Sequence, residues 1–280
     1  MITSPLRYPG GKARLFSLFS EIISSNNLYN TTYCEPFAGG AGLALRLLTA
    51  GFVPSISLND IDQSIYSFWV SILRNTSKFC DLIENTPITI DEWHNQRNIL
   101  KESNFHDTLS LGFSAYFLNR TNRSGIIEGA GPIGGIGQSG TWRMHARFNK
   151  QTQIGNIVEI SKYSAYIELS NLDAIDFIAN KFNSGDNFIY LDPPYYVKGR
   201  ELYKNFYKHA DHVNISEILK ANRDKFWVLT YDDSEQIRQI YDTFTPMTYS
   251  LNYSVGPKVR GCEVMFMSDR VTPPRGGVSL

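Results

Sequence analysis

The chain has 280 residues, 42% hydrophobic and 19% charged, with 27 basic and 27 acidic side chains. That length supports one large domain or two small ones with a real core, and the charge balance excludes a polybasic tail or a disordered acidic chain as the main theme. No apolar run approaches a membrane span and no secretory leader is visible, while Cys34, Cys80 and Cys262 show no zinc or redox spacing, so a cytoplasmic protein is expected.

The first patterned stretch is Arg7-Tyr8-Pro9-Gly10-Gly11-Lys12. It is no phosphate loop, because Leu6 stands where that pattern needs glycine and Ala13 where it needs Ser or Thr. What remains is a tight turn presenting an aromatic ring and a lysine that can meet a carboxylate. A strand is predicted over 31–35 and a helix over 42–49, with Gly51 as its stop. Between them, Glu35-Pro36-Phe37-Ala38-Gly39-Gly40-Ala41-Gly42 lets the backbone turn tightly and approach a ligand at the carboxyl edge of a sheet. It is a poor dinucleotide fingerprint, since Leu45 occupies the third glycine's place. A second strand over 54–58 runs into Asn59-Asp60, and an acid at that tip is placed to accept hydrogen bonds from ribose hydroxyls. Turn and acid together suit an adenosine-type ligand without a pyrophosphate.

The spacing of Ile61, Ile65, Phe68, Trp69 and Ile72 predicts a helix, and two more are predicted over 90–102 and 107–118. Phe113, Tyr116 and Phe117 fall at helical spacing and read as core. The next stretch is of another kind. Arg120, Arg123, Arg143, Arg147 and Lys150 face a single acid, Glu128, and seven of the sixteen residues from Gly125 to Gly140 are glycine. A glycine-rich cationic segment in a neutral chain suggests a loop or irregular hairpin facing a polyanion.

Helices over 152–161, 173–181, 214–222 and 234–244 then alternate with strands over 166–169, 188–191 and 226–230, and strands over 247–253 and 263–267 close the chain. Such alternation predicts a mainly parallel α/β sheet covered on both faces. The expected division is a discontinuous domain, 1–60 with 150–280, carrying a helical and loop insertion over 61–149. The five histidines (His94, His106, His145, His209 and His212) have no metal-ligand spacing and are expected mostly at the surface or as caps.

The most informative motif is the apolar strand 188–191 running into Asp192-Pro193-Pro194-Tyr195. Two prolines remove backbone donors and stiffen the turn. An acceptor-only carboxylate beside a carbonyl and an aromatic face suits an exocyclic amine on a flat ring.

In this order the motifs resemble those of the DNA adenine methylases, the α-group amino-methyltransferases that include the Dam-type enzymes. Residues 117–125, 131–135 and 147–150 add to the resemblance, which covers the chain from Arg7 to about Met267. It implies a Rossmann-like sheet, S-adenosylmethionine as methyl donor, no metal, and the N6 amine of a flipped-out adenine in double-stranded DNA as acceptor. The activity implied is that of a site-specific, adenine-specific DNA-methyltransferase. Carried over by position, Asp192, Pro193 and Tyr195 form the catalytic set. Tyr8, Lys12, Glu35, Phe37, Gly39, Gly42, Asp60 and Asp173 would meet the donor. The insertion would read the target, with Arg120, Arg123, Arg143, Arg147 and Lys150 on DNA. A monomer is expected, cytoplasmic and bacterial or phage-encoded, with room for a cognate restriction endonuclease. The arginine- and glycine-rich stretch departs from the shorter version in the best-known Dam enzymes, so their target sequence is not carried over. Cytosine-N4 methylation, which uses the same geometry, stays open, as does a DNA-binding relative that has lost the reaction.

Overall fold

A computed structural model describes residues 2–7, 12–196, 207–252 and 260–274. Its first elements in chain order are α1 (Phe16–Ser25), β1 (Thr32–Glu35), α2 (Gly42–Thr49), β2 (Ser55–Asn59), α3 (Gln63–Arg74), α4 (Thr76–Asn85), α5 (Ile90–Lys101) and α6 (Thr108–Thr121). Then come α7 (Lys150–Ser161), β3 (Ile167–Ser170), α8 (Ala174–Asn183), β4 (Asn187–Leu191), α9 (His209–Ala221), β5 (Phe226–Asp232), α10 (Glu235–Ile240), β6 (Met247–Asn252) and β7 (Arg260–Met267). The fold is mixed α/β, and the seven strands among the described residues are mostly parallel, as the sequence predicts.

Two compact units result: Lys12–Ile61 with Leu172–Leu280, and Met1–Gly11 with Asp62–Asn171. The sequence division at 60/61 lies beside one of these joints. The helical unit also takes in residues 1–11 and runs on to Asn171.

In the sheet unit the strand order is β2-β1-β4-β5-β7-β6. The pairs β1–β2, β1–β4 and β4–β5 are parallel, while β7 runs antiparallel to both β5 and β6. Parallel neighbours finish on the same edge, so the segments after Glu35, Asn59, Leu191 and Asp232 all leave the sheet from one side. That edge is where open α/β sheets hold ligands. Covered on both faces, β4 reads as an unbroken apolar run, and Phe188, Ile189, Tyr190 and Leu191 are all buried. Phe19 of α1 anchors one face, with its ring 4.6 Å from Tyr190 and 5.9 Å from Phe188.

The helical unit is built round α6, whose residues from Leu111 to Asn119 are buried without a break. Gly112 lets α3 come close, because a Cβ there would meet the Ser67 carbonyl oxygen at 2.5 Å. Phe68 and Tyr116 stack across this crossing at 5.8 Å, so Phe113, Tyr116 and Phe117 are core as expected.

Several expectations are corrected. Helices α1 and α4 were not predicted, although Leu18, Phe19, Ile22 and Ile23 do form an apolar stripe on α1. The chain turns from Tyr241 onward, so helix α10 stops at Ile240, short of 244. Helix α9 begins at His209, ahead of 214. The histidines are mostly at the surface, as expected, with His94, His145 and His209 exposed, while His212 is fully buried: its Nδ1 lies 2.8 Å from the Tyr231 hydroxyl, and burial lowers its pKa to about 4.

Candidate functional site

The glycine-rich turn after β1 is fastened to the tip of β2. Gly39 and Ala41 adopt left-handed backbone angles (φ 44° and 45°). The Ala38 N–H donates to the Asn59 carbonyl and the Gly39 N–H to Asp60 Oδ2, each at 2.9 Å. Asn59 extends this ledge, donating to the carbonyls of Pro36 and Leu172 and accepting from the Leu172 N–H. Asp173 follows and caps α8 by accepting from the Ile175 N–H at 2.8 Å. Phe37 meets Tyr207 edge-on at 5.7 Å. Burial raises the Tyr207 hydroxyl pKa, and the charges of Asp173, Asp211 and Asp60 raise it further. Asp60, Asp173, Phe37 and Tyr207 therefore belong to one neighbourhood. Gly42 opens α2. Tyr8 lies outside the described residues.

Glu35 is buried at the end of β1, where it accepts from the Tyr33 hydroxyl at 3.1 Å. Burial pushes its pKa to about 8, which leaves it largely protonated at neutral pH.

The second part of the site forms round Lys12. Its Nζ lies 2.7 Å from Glu263 Oε2, 3.3 Å from Asp192 Oδ1 and 3.3 Å from the Tyr195 hydroxyl. Glu263 is wholly buried and also accepts from the hydroxyls of Tyr195 (2.7 Å) and Tyr249. Asp192 Oδ1 accepts in addition from Thr230, which is itself 2.8 Å from the Tyr190 hydroxyl. Asp192 Oδ2 has no hydrogen-bond partner among the described residues, and a quarter of that side chain is exposed. Pro193 is buried, as is the Tyr195 ring at 6% exposure.

Charges this close sort themselves. Burial alone would lower the Lys12 pKa, but Asp192 and Glu263 outweigh it, so the ammonium is held. Glu263 is pulled below its ordinary range by Lys12 against its own burial. Burial raises Asp192 to about 6, with Lys12 opposing and Glu263 assisting. Near neutral pH one carboxylate is firmly ionised, one titrates just below, and Glu35 is mostly neutral.

Sequence reasoning grouped Asp192 with Tyr195 but put Lys12 with the donor-binding residues, and it missed Glu263, Tyr249 and Thr230. One signal was available for Glu263. It begins an otherwise apolar run, Glu263-Val264-Met265-Phe266-Met267, and a carboxylate there needs a buried partner.

The cationic residues of the helical unit fall into two kinds. Arg123, Arg143 and Arg147 are exposed. Arg120 is half-buried, with its guanidinium donating to the carbonyls of Pro5 and Arg147, and Lys150 donates to the carbonyls of Glu84 and Thr86 at the end of α4. Buried Asn119 ties the segment together: its side chain accepts from the Arg7 N–H and donates to the carbonyls of Arg7 and Gly125. Gly125 (φ 76°) admits no side chain, because a Cβ would meet the Arg7 carbonyl oxygen at 2.4 Å. Gln138 closes the next loop by donating to the carbonyls of Ile133 and Gly135 and accepting from the Met144 N–H. Trp142 beside Arg143 is 72% exposed, and Ile136 is 54% exposed.

A family model described as D12 class N6 adenine-specific DNA methyltransferase matches residues 8–255. The chain belongs to that family. It is also 23% identical over 262 residues to the Type II methyltransferase M.CviBI of Paramecium bursaria Chlorella virus NC1A, covering 89% of this chain and 90% of the relative. The protein is thus a DNA methyltransferase of the N6-adenine class, and cytosine-N4 methylation is not favoured. Membership implies S-adenosylmethionine as methyl donor, and the neighbourhood of Asp60 fits it. A half-buried carboxylate suits ribose hydroxyls, the Phe37 ring suits a flat base, and a tight glycine turn lets backbone come close. Among the described residues no group of His, Cys, Asp and Glu is arranged to hold a metal ion, and no helix is long and apolar enough to cross a membrane.

Proposed function

We propose that this methyltransferase is site-specific, transferring a methyl group to the N6 atom of an adenine rotated out of duplex DNA. Rotation is needed because N6 cannot meet a bound donor inside the base stack. Asp192 Oδ2 and the Pro193 carbonyl accept the two N–H bonds of the amine. The N6 lone pair, delocalised into the ring in the free base, is thereby directed at the methyl carbon, and the growing positive charge is stabilised. Bound S-adenosylmethionine supplies a methyl group on an electrophilic sulfonium. The N–C bond forms as the C–S bond breaks, and the methylated ammonium, itself acidic, then loses its proton. Asp192 need not be a strong base. Tyr195, its hydroxyl anchored, provides a fixed aromatic wall for the base.

Asp60 is assigned to the ribose, with Phe37, Gly39, Gly42 and Asp173 lining the donor's place. Glu35 braces the turn and Tyr8 completes the donor set, while Lys12, held by Glu263, Asp192 and Tyr195, is assigned to the catalytic side. The helical unit is assigned to target recognition. Its exposed Arg123, Arg143 and Arg147 suit phosphates and base edges, and Trp142 offers a ring for stacking. The name of the viral relative fits a restriction-modification setting, with a cognate endonuclease as partner. A cytoplasmic monomer that works without a metal completes the reading.

One observation carries it: at the sheet edge, the Asp192 oxygen that Lys12 and Thr230 do not hold has no partner among the described residues. The test is transfer of labelled methyl groups into duplex DNA, followed by nucleoside analysis. N6-methyladenine as the product supports the reading. N4-methylcytosine, or donor binding without incorporation, refutes it.

A further inference from the structure

Lys12 sits between two carboxylates, and they are held in different ways. Glu263 lies in β7 directly opposite Tyr249 of β6 and Asp232 of β5. It is fully buried and receives the Lys12 ammonium and the hydroxyls of Tyr195 and Tyr249. Asp192 is at the rim, a quarter exposed, and takes Lys12 only at 3.3 Å. A buried carboxylate with three donors is costly to remove from water unless each bond is well made. Here each bond also fixes a group that the proposed chemistry uses.

We propose that Glu263 is the positioning residue of this active site, holding Lys12 and Tyr195 in place and drawing the ammonium off Asp192 so that Asp192 stays free to accept the amine. This rests on the reading of Asp192 given above. Without the Glu263 charge, Asp192 would be the one remaining ionised partner of Lys12 in the cluster, and a tight ion pair would compete with the substrate amine. The Tyr195 hydroxyl would also lose the 2.7 Å bond to the carboxylate that helps to fix its ring.

The groups facing Asp192 fix the sign of the pH effect. They are Lys12 ahead of α1, Tyr33 and Glu35 on β1, Tyr190 on β4, Thr230 on β5, Tyr249 on β6 and Glu263 on β7. Glu35 is mostly neutral near pH 7 and the tyrosines are neutral, so Lys12 and Glu263 are the dominant charges. Lys12 lowers the Asp192 pKa and Glu263 raises it. Neutralising Glu263 therefore moves the Asp192 titration to lower pH.

Glu263→Gln keeps the side-chain volume and removes the charge. We expect kcat to fall about 10- to 100-fold, as for misplaced catalytic groups, and the acid limb of kcat/KM to move down by roughly one pH unit. A double variant, Lys12→Met with Glu263→Leu, separates positioning from mere structural support. Replacing a buried ion pair by apolar residues often leaves stability intact, so its thermal melting should stay near wild type while methyl transfer stays at least as slow as in Glu263→Gln. Wild-type kcat and an unmoved acid limb in Glu263→Gln would overturn the proposal, as would recovery of transfer in the double variant. Failure of the Asp192 reading is distinguishable, because Asp192→Asn would then still turn over whatever Glu263 does.

Discussion

In the sheet unit, Lys12 is buried 2.7 Å from Glu263 and 3.3 Å from Asp192, whereas in the helical unit Arg123, Arg143 and Arg147 are exposed with no ion pair among the described residues. In the first unit Lys12 is set between two carboxylates and among hydroxyls, and the carboxylates of this cluster and of Glu35 are spread along the pH scale. In the second, the segment from Arg120 to Lys150 gathers mostly one sign, and Arg7 feels it: burial, then the charges of Arg120 and Arg147, push its pKa down to about 10. Buried, compensated charge suits chemistry on a single amine. Uncompensated exposed charge suits attraction of a polyanion, which can supply the missing counter-charge.

Glu35 offers the largest way to sharpen this contrast. Its folded pKa of about 8 lies above the unfolded carboxylate value, so its contribution to stability is fully present below about pH 4.5 and is lost as pH rises through 8. Glu35→Gln removes that titration. Relative to wild type, the variant should gain on the order of 3–5 kcal/mol between pH 4.5 and 9, read by denaturant unfolding at each pH. Parallel pH profiles for the two proteins would show that Glu35 is not held neutral.

Asp60→Ala should weaken donor binding by about 1–3 kcal/mol, the range for hydrogen bonds involving a charged group. Calorimetric titration reads this directly, and an unchanged dissociation constant would remove Asp60 from the donor site.

The smallest effects divide the arginines. Arg143→Ala and Arg123→Ala should leave stability near wild type. Each should either reduce the salt slope of DNA binding by roughly one unit or relax sequence preference at one base pair, and at least one of them should do the latter. Arg120 donates to carbonyls within its own unit, so Arg120→Ala should cost about 1–3 kcal/mol of stability and leave the salt slope unchanged. Equal behaviour of all three would erase the distinction between exposed and engaged cations.

What the sequence revealed follows from how far each signal reaches along the chain. The turn from Glu35 to Gly42, the acid after β2 and the proline-stiffened end of β4 are local patterns, and all were legible. Lys12 and Glu263 are 251 positions apart, and no periodicity or spacing reports that their side chains meet. The five basic residues at 120–150 read alike in sequence, yet Arg120 and Lys150 bond to carbonyls while Arg123, Arg143 and Arg147 are exposed. Composition counts charges but does not show which of them a helix end or a loop carbonyl has taken. Helix α4 escaped notice because its apolar face is thin, with Phe79 and Ile83 alone buried among its residues.

The measurement that bears most directly on the central claim is methyl transfer by Asp192→Asn, with donor affinity determined on the same preparation. The substitution keeps the shape of the side chain and removes the negative charge that is to meet the amine. We expect turnover to fall about 100- to 1,000-fold or more, as when a preorganised electrostatic partner is lost, with the donor dissociation constant near that of wild type. Turnover at the wild-type rate would contradict the assignment of Asp192 as the group that receives the adenine amine.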